Sequence, residues 1–373
     1  MGKYRFDEIA INSTQKKKPI EEDRFHYVGL EHIDPECFEI QQYGSEVAPV
    51  GEKLVMKKGD ILFGKRRAYQ RKVAIAPCDG IFSAHGMVLR PKTGVIDSSY
   101  FPFFISSDTF METAIRISVG GLSPTINWKD LAKQEFELPS LEEQKNLADK
   151  LWAAYRLKEA YKKLLIATDE MVKSQFIEMF GDPMTNTKVW VEFGYIGNYT
   201  QIVLGSTPNS KNSFYWNGDI KWITPAEMVE ESFYIYDTER HLTEEGLKAS
   251  NLTLLPYRSV LFSTRAPIGK VGLVGSPMYC NQGFKNFVCG DKLNPVYLYY
   301  SLIFKREYLV SLGTGTTFKE LSKKVVENLK IAVPPLILQN KFEMIYQQAD
   351  NSKFELKQCI EHIDKVIKSL ING

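Results

Sequence analysis

The sequence lacks the features of a secreted, membrane-spanning or metal-binding chain. Its 373 residues include five cysteines, an odd number without any Cys-x-x-Cys spacing. Neither a disulfide framework nor a zinc finger is therefore expected. The five histidines show no metal-ligand spacing, and no apolar run approaches the roughly 20 residues of a membrane helix. The N-terminus carries no apolar leader, so we expect a reduced, cytoplasmic protein without a metal.

Motifs of catalysis and of cofactor binding are also missing. The sequence contains no Gly-x-x-x-x-Gly-Lys-Ser/Thr phosphate loop and no glycine-rich cofactor loop after a buried strand. The segment Asn294–Tyr297 has a single proline where an amino-methyltransferase needs a Pro-Pro-aromatic tetrapeptide. Acidic residues are dispersed, without the cluster of a nuclease. The sequence therefore predicts no catalytic centre and no bound cofactor.

Bulk charge gives little information about partners. The formal net charge is +2, with 25% charged and 44% hydrophobic residues, which is typical of a soluble globular chain. If the chain binds nucleic acid, its basic residues must be concentrated in local patches.

The most informative feature that is present is an internal repeat. The motif Pro139-x-Leu-x-x-Gln144 recurs as Pro334-x-Leu-x-x-Gln339, at a constant offset of 195 residues. The offset persists downstream, where Lys158 corresponds to Lys353. Chance similarity between two strand-rich segments does not produce so long a constant offset, so we interpret the chain as a tandem duplication.

Each half contains a mixed globular region followed by one long helix. The predicted segments are 1–140, a first globular region; 141–182, a first helix; 183–335, a second globular region; and 336–373, a second helix. The first helix should end at the Gly-Asp-Pro sequence of residues 181–183. The fold class is α+β, with two globular α/β regions separated by two long antiparallel coiled-coil helices in a pseudo-twofold internal repeat.

Both helices carry apolar residues at spacings of four and three, which is typical of a coiled-coil seam. The alternative is that each helix packs only on its own globular region. Lys158 and Lys353 interrupt the seam and could fix the antiparallel register. The predicted seam residues are Leu147, Leu151, Ala154, Lys158, Tyr161, Leu165, Phe342, Ala349, Lys353, Leu356, Ile360, Ile363 and Ile367.

A basic segment follows the strand-like run 61–63 in the first globular region. Arginine can form paired hydrogen bonds with guanine, glutamine can do so with adenine, and lysine can neutralise phosphate. The segment therefore predicts an exposed DNA-contacting loop, although a solvated charged loop has the same composition. The candidate contacts are Lys65, Arg66, Arg67, Tyr69, Gln70, Arg71 and Lys72.

The second globular region has a corresponding segment after its strand-like run 260–262. Arg265 aligns with Arg66, and Lys270 falls near the position of Arg71. Polar loops elsewhere could read base edges or bind phosphate, although simple turns have the same composition. The remaining candidate contacts are His85, Ser123, Thr125, Ser206, Thr207, Lys211, Asn281, Gln282, Lys285, Thr314, Thr316, Thr317 and Lys319.

The repeated order of strand run, Gly-Thr-rich loop, Pro-x-Leu-x-x-Gln motif and long helix resembles the specificity subunits of Type I restriction-modification systems. The Phe-Gly-Asp-Pro sequence at 180–183 and the Gly-Ser-Thr-Pro sequence at 205–208 carry the same resemblance. Together these motifs cover essentially the whole chain. The first half departs further from the pattern, because Val-Gly-Gly-Leu at 119–122 replaces Gly-Thr-Gly.

The resemblance implies a non-catalytic subunit that recognises double-stranded DNA with a bipartite site. Each globular region would read one half-site, and the two helices would set the spacing and dock two modification subunits. Restriction subunits would join the full complex. S-adenosylmethionine, and ATP with Mg for restriction, would bind those partner subunits. A non-enzymatic coiled-coil scaffold whose globular ends bind proteins is the alternative from another class, and the absent acidic cluster disfavours a nuclease.

Overall fold

The computed structural model describes residues 2–185, 188, 190, 193–229, 233–265, 267–314 and 319–372. The chain divides into two compact units. One comprises residues 1–163 and 356–373, and the other comprises residues 164–355. Each unit therefore combines one globular region with part of each long helix.

The first globular region is built from short strands and short helices, and the first long helix follows it. Its strands and helices are β1 (Gly2–Arg5), α1 (Phe6–Ile9), β2 (Ala10–Ser13), β3 (Lys16–Lys17), β4 (Tyr27–Val28), β5 (Lys53–Met56), β6 (Ile61–Phe63), β7 (Val73–Ile75), β8 (Gly80–Phe82), β9 (Met87–Pro91), α2 (Phe101–Ser106), α3 (Asp108–Arg116), α4 (Trp128–Leu131), β10 (Glu135–Leu138) and the long helix α5 (Leu141–Phe180).

The second globular region repeats this plan with small differences, and the second long helix follows it. Its strands and helices are β11 (Phe193–Tyr195), β12 (Thr200–Leu204), β13 (Trp216–Ile223), β14 (Tyr234–Ile235), β15 (Arg240–Leu242), α6 (Glu244–Lys248), β16 (Val260–Phe262), β17 (Val271–Val274), β18 (Tyr279–Cys280), β19 (Lys285–Cys289), α7 (Pro295–Phe304), α8 (Arg306–Ser311), α9 (Lys323–Glu327), β20 (Lys330–Ala332) and the long helix α10 (Leu336–Asn372).

The sheets of the two regions correspond strand by strand at their centres. The first region has sheets ordered β2-β9-β6-β7 and β3-β5-β8-β4, and the second has β12-β19-β16-β17-β14 and β15-β13-β18. The central strands β6 and β16 are buried at every residue. Continuous burial of this kind means that both faces of the strand are covered, which explains why their sequences are wholly apolar. The strand-like runs in the two halves are therefore central strands of equivalent sheets.

The motif glutamines have the same bonding role in both halves. Gln144 Nε2 donates to the Pro139 and Val95 carbonyls at 2.9 and 3.2 Å, while its Oε1 accepts from Asp97 N at 2.8 Å. Both this side chain and its counterpart are buried. Burial without partners would cost these polar groups their hydration, so full hydrogen bonding is required.

The counterpart, Gln339, bonds to an equivalent set of groups. Its Nε2 donates to the Pro334 and Lys292 carbonyls at 2.7 and 3.0 Å, and its Oε1 accepts from Asn294 N at 2.8 Å. In each half, the glutamine thus ties the start of a long helix to a loop of the preceding globular region. This requirement explains why proline and glutamine recur at a fixed spacing.

The predicted long helices are confirmed, at 141–180 and 336–372. The first begins at a capping box, in which Ser140 N donates to Glu143 Oε2 at 2.9 Å and Glu143 N donates to Ser140 Oγ at 3.3 Å. It ends at Gly181, whose φ of 77° is readily adopted by glycine. Gly181 N closes the last turn by donating to Ile177 O at 2.8 Å.

The two helices pair antiparallel, and the predicted seam residues are all buried or half-buried. In the unit formed by residues 164–355, Lys353 Nζ lies 2.7 Å from Asp169 Oδ1, and the rings of Phe176 and Phe342 are 5.2 Å apart. In the other unit, Lys158 Nζ lies 2.5 Å from Asp364 Oδ1. Both pairs join a seam lysine to an aspartate of the facing helix, at positions related by the 195-residue offset. The predicted fold class is confirmed.

Candidate nucleic-acid interface

The basic segment of the first globular region forms the exposed connection between the antiparallel strands β6 and β7. Arg66, Arg67 and Tyr69 are exposed, whereas Lys65 and Gln70 are half-buried. Arg67 adopts a positive φ of 57° before a short 3-10 turn at residues 68–70. The connection thus projects three side chains with hydrogen-bonding or stacking capacity into solvent.

Three separate segments of the first region meet at Arg66. Its Nε donates to Ser123 Oγ at 2.7 Å, and its backbone forms an isolated β-bridge with Thr125. Its backbone N–H donates to His85 O at 3.3 Å. Candidates from three separate stretches of the sequence therefore form one cluster, here named the first loop cluster: residues 64–72, 83–86 and 119–125.

The second globular region assembles the corresponding segments in the same way. Arg265 forms an isolated β-bridge with Glu320, which also bridges Thr314. Thr264 N donates to Gly283 O at 2.8 Å. These contacts define the second loop cluster, residues 263–265, 267–270, 281–284, 314, 319 and 320. Its candidates Thr316 and Thr317 lie outside the described residues, while Thr314 and Lys319 are exposed.

The segment 205–211 adjoins the second loop cluster. Ser206 N donates to Cys280 O at 3.0 Å, and Thr207 Oγ1 bonds to Gln282 Oε1. Thr207, Lys211 and Gln282 are exposed, whereas Asn281 is half-buried and donates its backbone N–H to Ile223 O at 3.0 Å. Four stretches of the second region thus form one polar surface.

Some predicted contacts are bonded within the fold. Arg71 Nη2 forms a 2.6 Å ion pair with Asp108 and donates to Ser106 O at 3.0 Å. Lys72 Nζ donates to Leu30 O at 2.6 Å. Contact of either side chain with a ligand would require these bonds to be broken, so the exposed members of the first loop cluster are the stronger candidates.

The same holds for two lysines of the second region. Lys270 Nζ donates to the Met228 and Pro225 carbonyls at 2.7 and 3.0 Å. The sequence placed Lys285 in a loop, but it is the first residue of β19 and is 7% exposed. Its ammonium lies 3.0 Å from both Thr264 Oγ1 and Glu320 Oε1, which explains how a buried strand position accommodates a lysine.

Like charges are concentrated around the first loop cluster. Burial lowers the pKa of the Lys65 ammonium, and the charge of Lys16 lowers it further. Burial also lowers the pKa of His85, with additional contributions from the charges of Arg66, Lys65 and Lys53. Cations that face one another in this way are stabilised by a polyanion, and DNA supplies one.

The chain matches the sequence model described as the Type I restriction modification DNA specificity domain, at residues 8–167 and again at 191–364. The chain belongs to this family. It is 35% identical over 176 residues to the Type I restriction enzyme MjaIX specificity subunit of Methanocaldococcus jannaschii, a match that covers 46% of this chain and 41% of that protein. The aligned segment therefore spans less than half the length of that relative.

Two solved structures share the fold of these specificity domains. One is a chain described under the structural basis of complex assembly and conformational transition of the type I R-M system. It is 18% identical to this chain, with a TM-score of 0.63. The alignment covers 99% of this chain and 96% of that chain. The other is the Type-I restriction-modification system S subunit from M. genitalium. It is 14% identical, covers 100% of this chain and 96% of that chain, and has a TM-score of 0.60.

Sequence reasoning missed several cations beside the specificity-domain loops. Lys16 and Lys53 lie on β3 and β5, close enough for their charges to affect Lys65 and His85. The run Lys16-Lys-Lys18 was a signal for this patch in the sequence. Arg240 on β15 was also missed, and its isolated position in the sequence carries no comparable signal.

The described part of the chain has neither a membrane-spanning helix nor a cluster of metal ligands. Within the ranges given above, no helix is long and apolar enough to cross a membrane. No group of three or more His, Cys, Asp or Glu side chains in those ranges is arranged to hold a metal ion.

Proposed function

We propose that this chain is the sequence-specific DNA-recognition subunit of a Type I restriction-modification enzyme, in which each globular region reads one half of a bipartite duplex site. The observation that carries this proposal is the pair of equivalent loop clusters around Arg66 and Arg265. The two surfaces occupy equivalent positions but present different side chains, which suits the recognition of two different half-sites. Family membership supports the same role.

The chemistry of the exposed groups fits duplex DNA. The exposed Arg66 and Arg67 can fork onto guanine or bind phosphate, and the half-buried Gln70 can pair with adenine. Ser123, which already accepts from Arg66 Nε, restricts the motion of that guanidinium. Holding a reading group in place before binding lowers the entropy cost of the contact. The segment 205–211 and the second loop cluster offer hydroxyls, amides and Lys319 for the other half-site.

The long helices are proposed to set the distance between half-sites and to dock two modification subunits. Helix α5 has a second row of residues spaced alternately four and three apart, and all of them are exposed. A row of alternating small and large apolar side chains suits the packing of a partner helix. The positions at offset 195 on α10 are mostly polar, which favours α5 as the principal docking helix. The row on α5 comprises Ala153, Leu157, Ala160, Leu164, Ala167 and Met171.

Catalysis is assigned to the partners in this proposal. The chain would bind no cofactor of its own, and S-adenosylmethionine would be held by the modification subunits. ATP and Mg would serve restriction subunits in the full complex. The complex would work in the cytoplasm, where its DNA target is found.

The test uses the full chain purified with its modification subunits and a library of random duplexes. The expected product of selection is a bipartite sequence. Arg66→Ala and Arg265→Ala form a matched pair at equivalent positions, and each should relax one half-site at a cost of about 1–3 kcal/mol.

If either variant weakens recognition of both half-sites equally, this would contradict the proposal that each globular region recognises one half-site. Absence of salt-dependent DNA binding would favour the protein-binding scaffold instead. Methyl transfer by the chain alone, with contaminating partners excluded, would overturn the assignment of catalysis to the partners.

A further inference from the structure

Strand β15 is an addition to the second globular region. Both regions contain a parallel strand pair in a small sheet: β4 pairs with β8 and β13 pairs with β18. In the first region, β4 is the edge of its sheet. In the second, β13 also pairs antiparallel with β15, which places Arg240 opposite Trp222.

Arg240 stacks on two tryptophans of β13. Its guanidinium carbon lies 3.6 Å from the centre of the Trp216 ring and 5.4 Å from that of Trp222. The two indoles are almost fully buried and contact each other edge to face, with centroids 5.0 Å apart. A guanidinium over an indole face is held by cation–π attraction. Arg240 is therefore a positioned side chain, although the residue is exposed.

The same tryptophans connect Arg240 to the segment 205–211. Trp222 Nε1 donates to Ser206 O at 3.0 Å, and Trp216 Nε1 donates to Asn209 O at 3.3 Å. That segment in turn joins the second loop cluster through Thr207 and Gln282. Arg240 thus borders the surface proposed to meet DNA in the second region.

The charge of Arg240 is not neutralised by the described residues of this region. Among the residues that the structure describes, no carboxylate forms an ion pair with its guanidinium. The nearby acidic side chain Asp237 lies 3.1 Å from His241 instead. Stacking occupies one face of the guanidinium and leaves the N–H groups at its edge available to a ligand in the plane.

We propose that Arg240 is a base-reading residue of the second half-site, which donates two hydrogen bonds to the O6 and N7 acceptors of a guanine in the major groove. A planar fork held against an indole suits a paired acceptor better than a single phosphate oxygen does. Its place on a strand that only the second region has fits a role in one half-site. This inference rests on the DNA-reading function proposed above.

The decisive variant is Arg240→Lys, because lysine keeps the charge and the contact with the indole but loses the fork. The full chain with its modification subunits is measured against the selected site and against duplexes altered at each position of either half. We expect Arg240→Lys to lose discrimination of about 5- to 100-fold at one guanine of the second half-site. The dependence of affinity on salt should stay unchanged.

Two further variants separate the loss of base discrimination from other effects of the substitution. Arg240→Ala should lose the same discrimination and additionally bind less tightly. Arg116→Lys, which changes an exposed arginine of the first region, should leave the second half-site intact. Thermal unfolding of each complex shows whether the second region remains folded, and Arg240→Lys should match the original protein.

Three results would overturn the inference. Uniform weakening on all duplexes, with a shallower salt dependence, would identify Arg240 as a phosphate contact. Unchanged discrimination by Arg240→Lys, when the original complex selects a bipartite site, would remove Arg240 from the reading surface and leave the proposed function intact. Failure of the original complex to select any sequence would overturn both proposals.

Discussion

The two globular regions share a frame and differ at its edges. In the first, β8 is flanked by β5 and then β3, strands that carry Lys16, Lys17 and Lys53. In the second, the position of β5 is taken by one isolated β-bridge between Leu255 and Met278. The added strand β15 lies on the other side of the parallel pair, next to β13. The parallel strand pair is therefore retained in both regions, while the strands that differ between the regions carry the cations.

The shared part of the frame is ordered by requirements that any sequence must meet. The buried side chains of the paired motif glutamines hydrogen-bond to backbone groups, and the central strands are covered on both faces. Edge strands have one side open to solvent and tolerate changes in length and charge. A duplicated reader can therefore diverge in target without losing its fold.

The largest expected effect tests whether the two motif glutamines are equivalent. Gln144→Leu and Gln339→Leu should each lower the free energy of unfolding by about 3–5 kcal/mol, because each removes three hydrogen bonds from a buried side chain to partly or fully buried backbone groups. Chemical denaturation measures this. Gln348→Leu, at an exposed position of α10, is the control and should change stability by less than about 0.5 kcal/mol. A loss confined to one motif would break the equivalence.

The second prediction sharpens the comparison at the helix seam. The Lys158 side chain is 7% exposed and Asp364 is 34% exposed, whereas Lys353 and Asp169 are 21% and 52% exposed. Lys158→Ala should therefore cost about 2 kcal/mol, since it leaves a partly buried carboxylate unpaired. Lys353→Ala should cost less than about 1 kcal/mol.

Thermal and chemical unfolding distinguish the two seam variants. Combining Lys158→Ala with Asp364→Ala should recover part of the loss, because the unpaired charge is then removed. Equal costs at the two positions would mean that burial does not set the strength of these ion pairs.

The third prediction concerns a position where the regions differ in chemistry. Ser107 lies between α2 and α3 and accepts a hydrogen bond from Phe110 N, whereas Lys305 occupies the junction of α7 and α8. Burial lowers the pKa of Lys305 from 10.5 to about 8, although the charge of Asp182 opposes the shift. Below pH 8 the folded chain holds a buried ammonium, which is unfavourable compared with the solvated ammonium of the unfolded chain.

Because the unfolded chain binds more protons between pH 8 and 10.5, stability should rise with pH across that window, by up to about 3 kcal/mol from this group. The measurement compares denaturant unfolding of the original protein and Lys305→Met at several pH values. Relative to the original protein, Lys305→Met should be favoured in stability at low pH. The original protein should gain on the variant as the pH rises. A difference that does not vary with pH would contradict the depressed pKa.

The smallest expected effect distinguishes the cations of β3 and β5 from Arg240. Lys16 and Lys53 lie beside the first loop cluster, and Lys16 has only a weak 3.7 Å pair with the exposed Glu52. Replacing both lysines with Gln should reduce the slope of log affinity against log salt by about 1–2, without changing base preference. Lys3→Gln, at a lysine paired with Glu135 at 2.6 Å, is the control for the loss of one lysine charge. A shift in base preference would place these lysines among the reading groups.

Much of the fold was predictable because it depends on periodicity and repetition. The offset of 195 residues linked Gln144 to Gln339 before any contact was known, and the heptad spacing indicated the seam. Arg66 and Arg265 were paired through the same alignment. The position of Lys285 was predicted wrongly, because Asn281-Gln-Gly is a turn sequence and the partners that bury the following lysine are distant in sequence.

The sequence by itself determined the duplication, the two long helices and the absence of familiar catalytic motifs, since these depend on residue order and local spacing. Tertiary structure alone decided which cations remain available. Arg71 and Lys270 are bonded within the fold, whereas Arg240 is stacked with its donors exposed. Such differences arise from contacts between segments that are far apart in the chain. These contacts determine whether a charged side chain is neutralised, buried or available to bind a ligand.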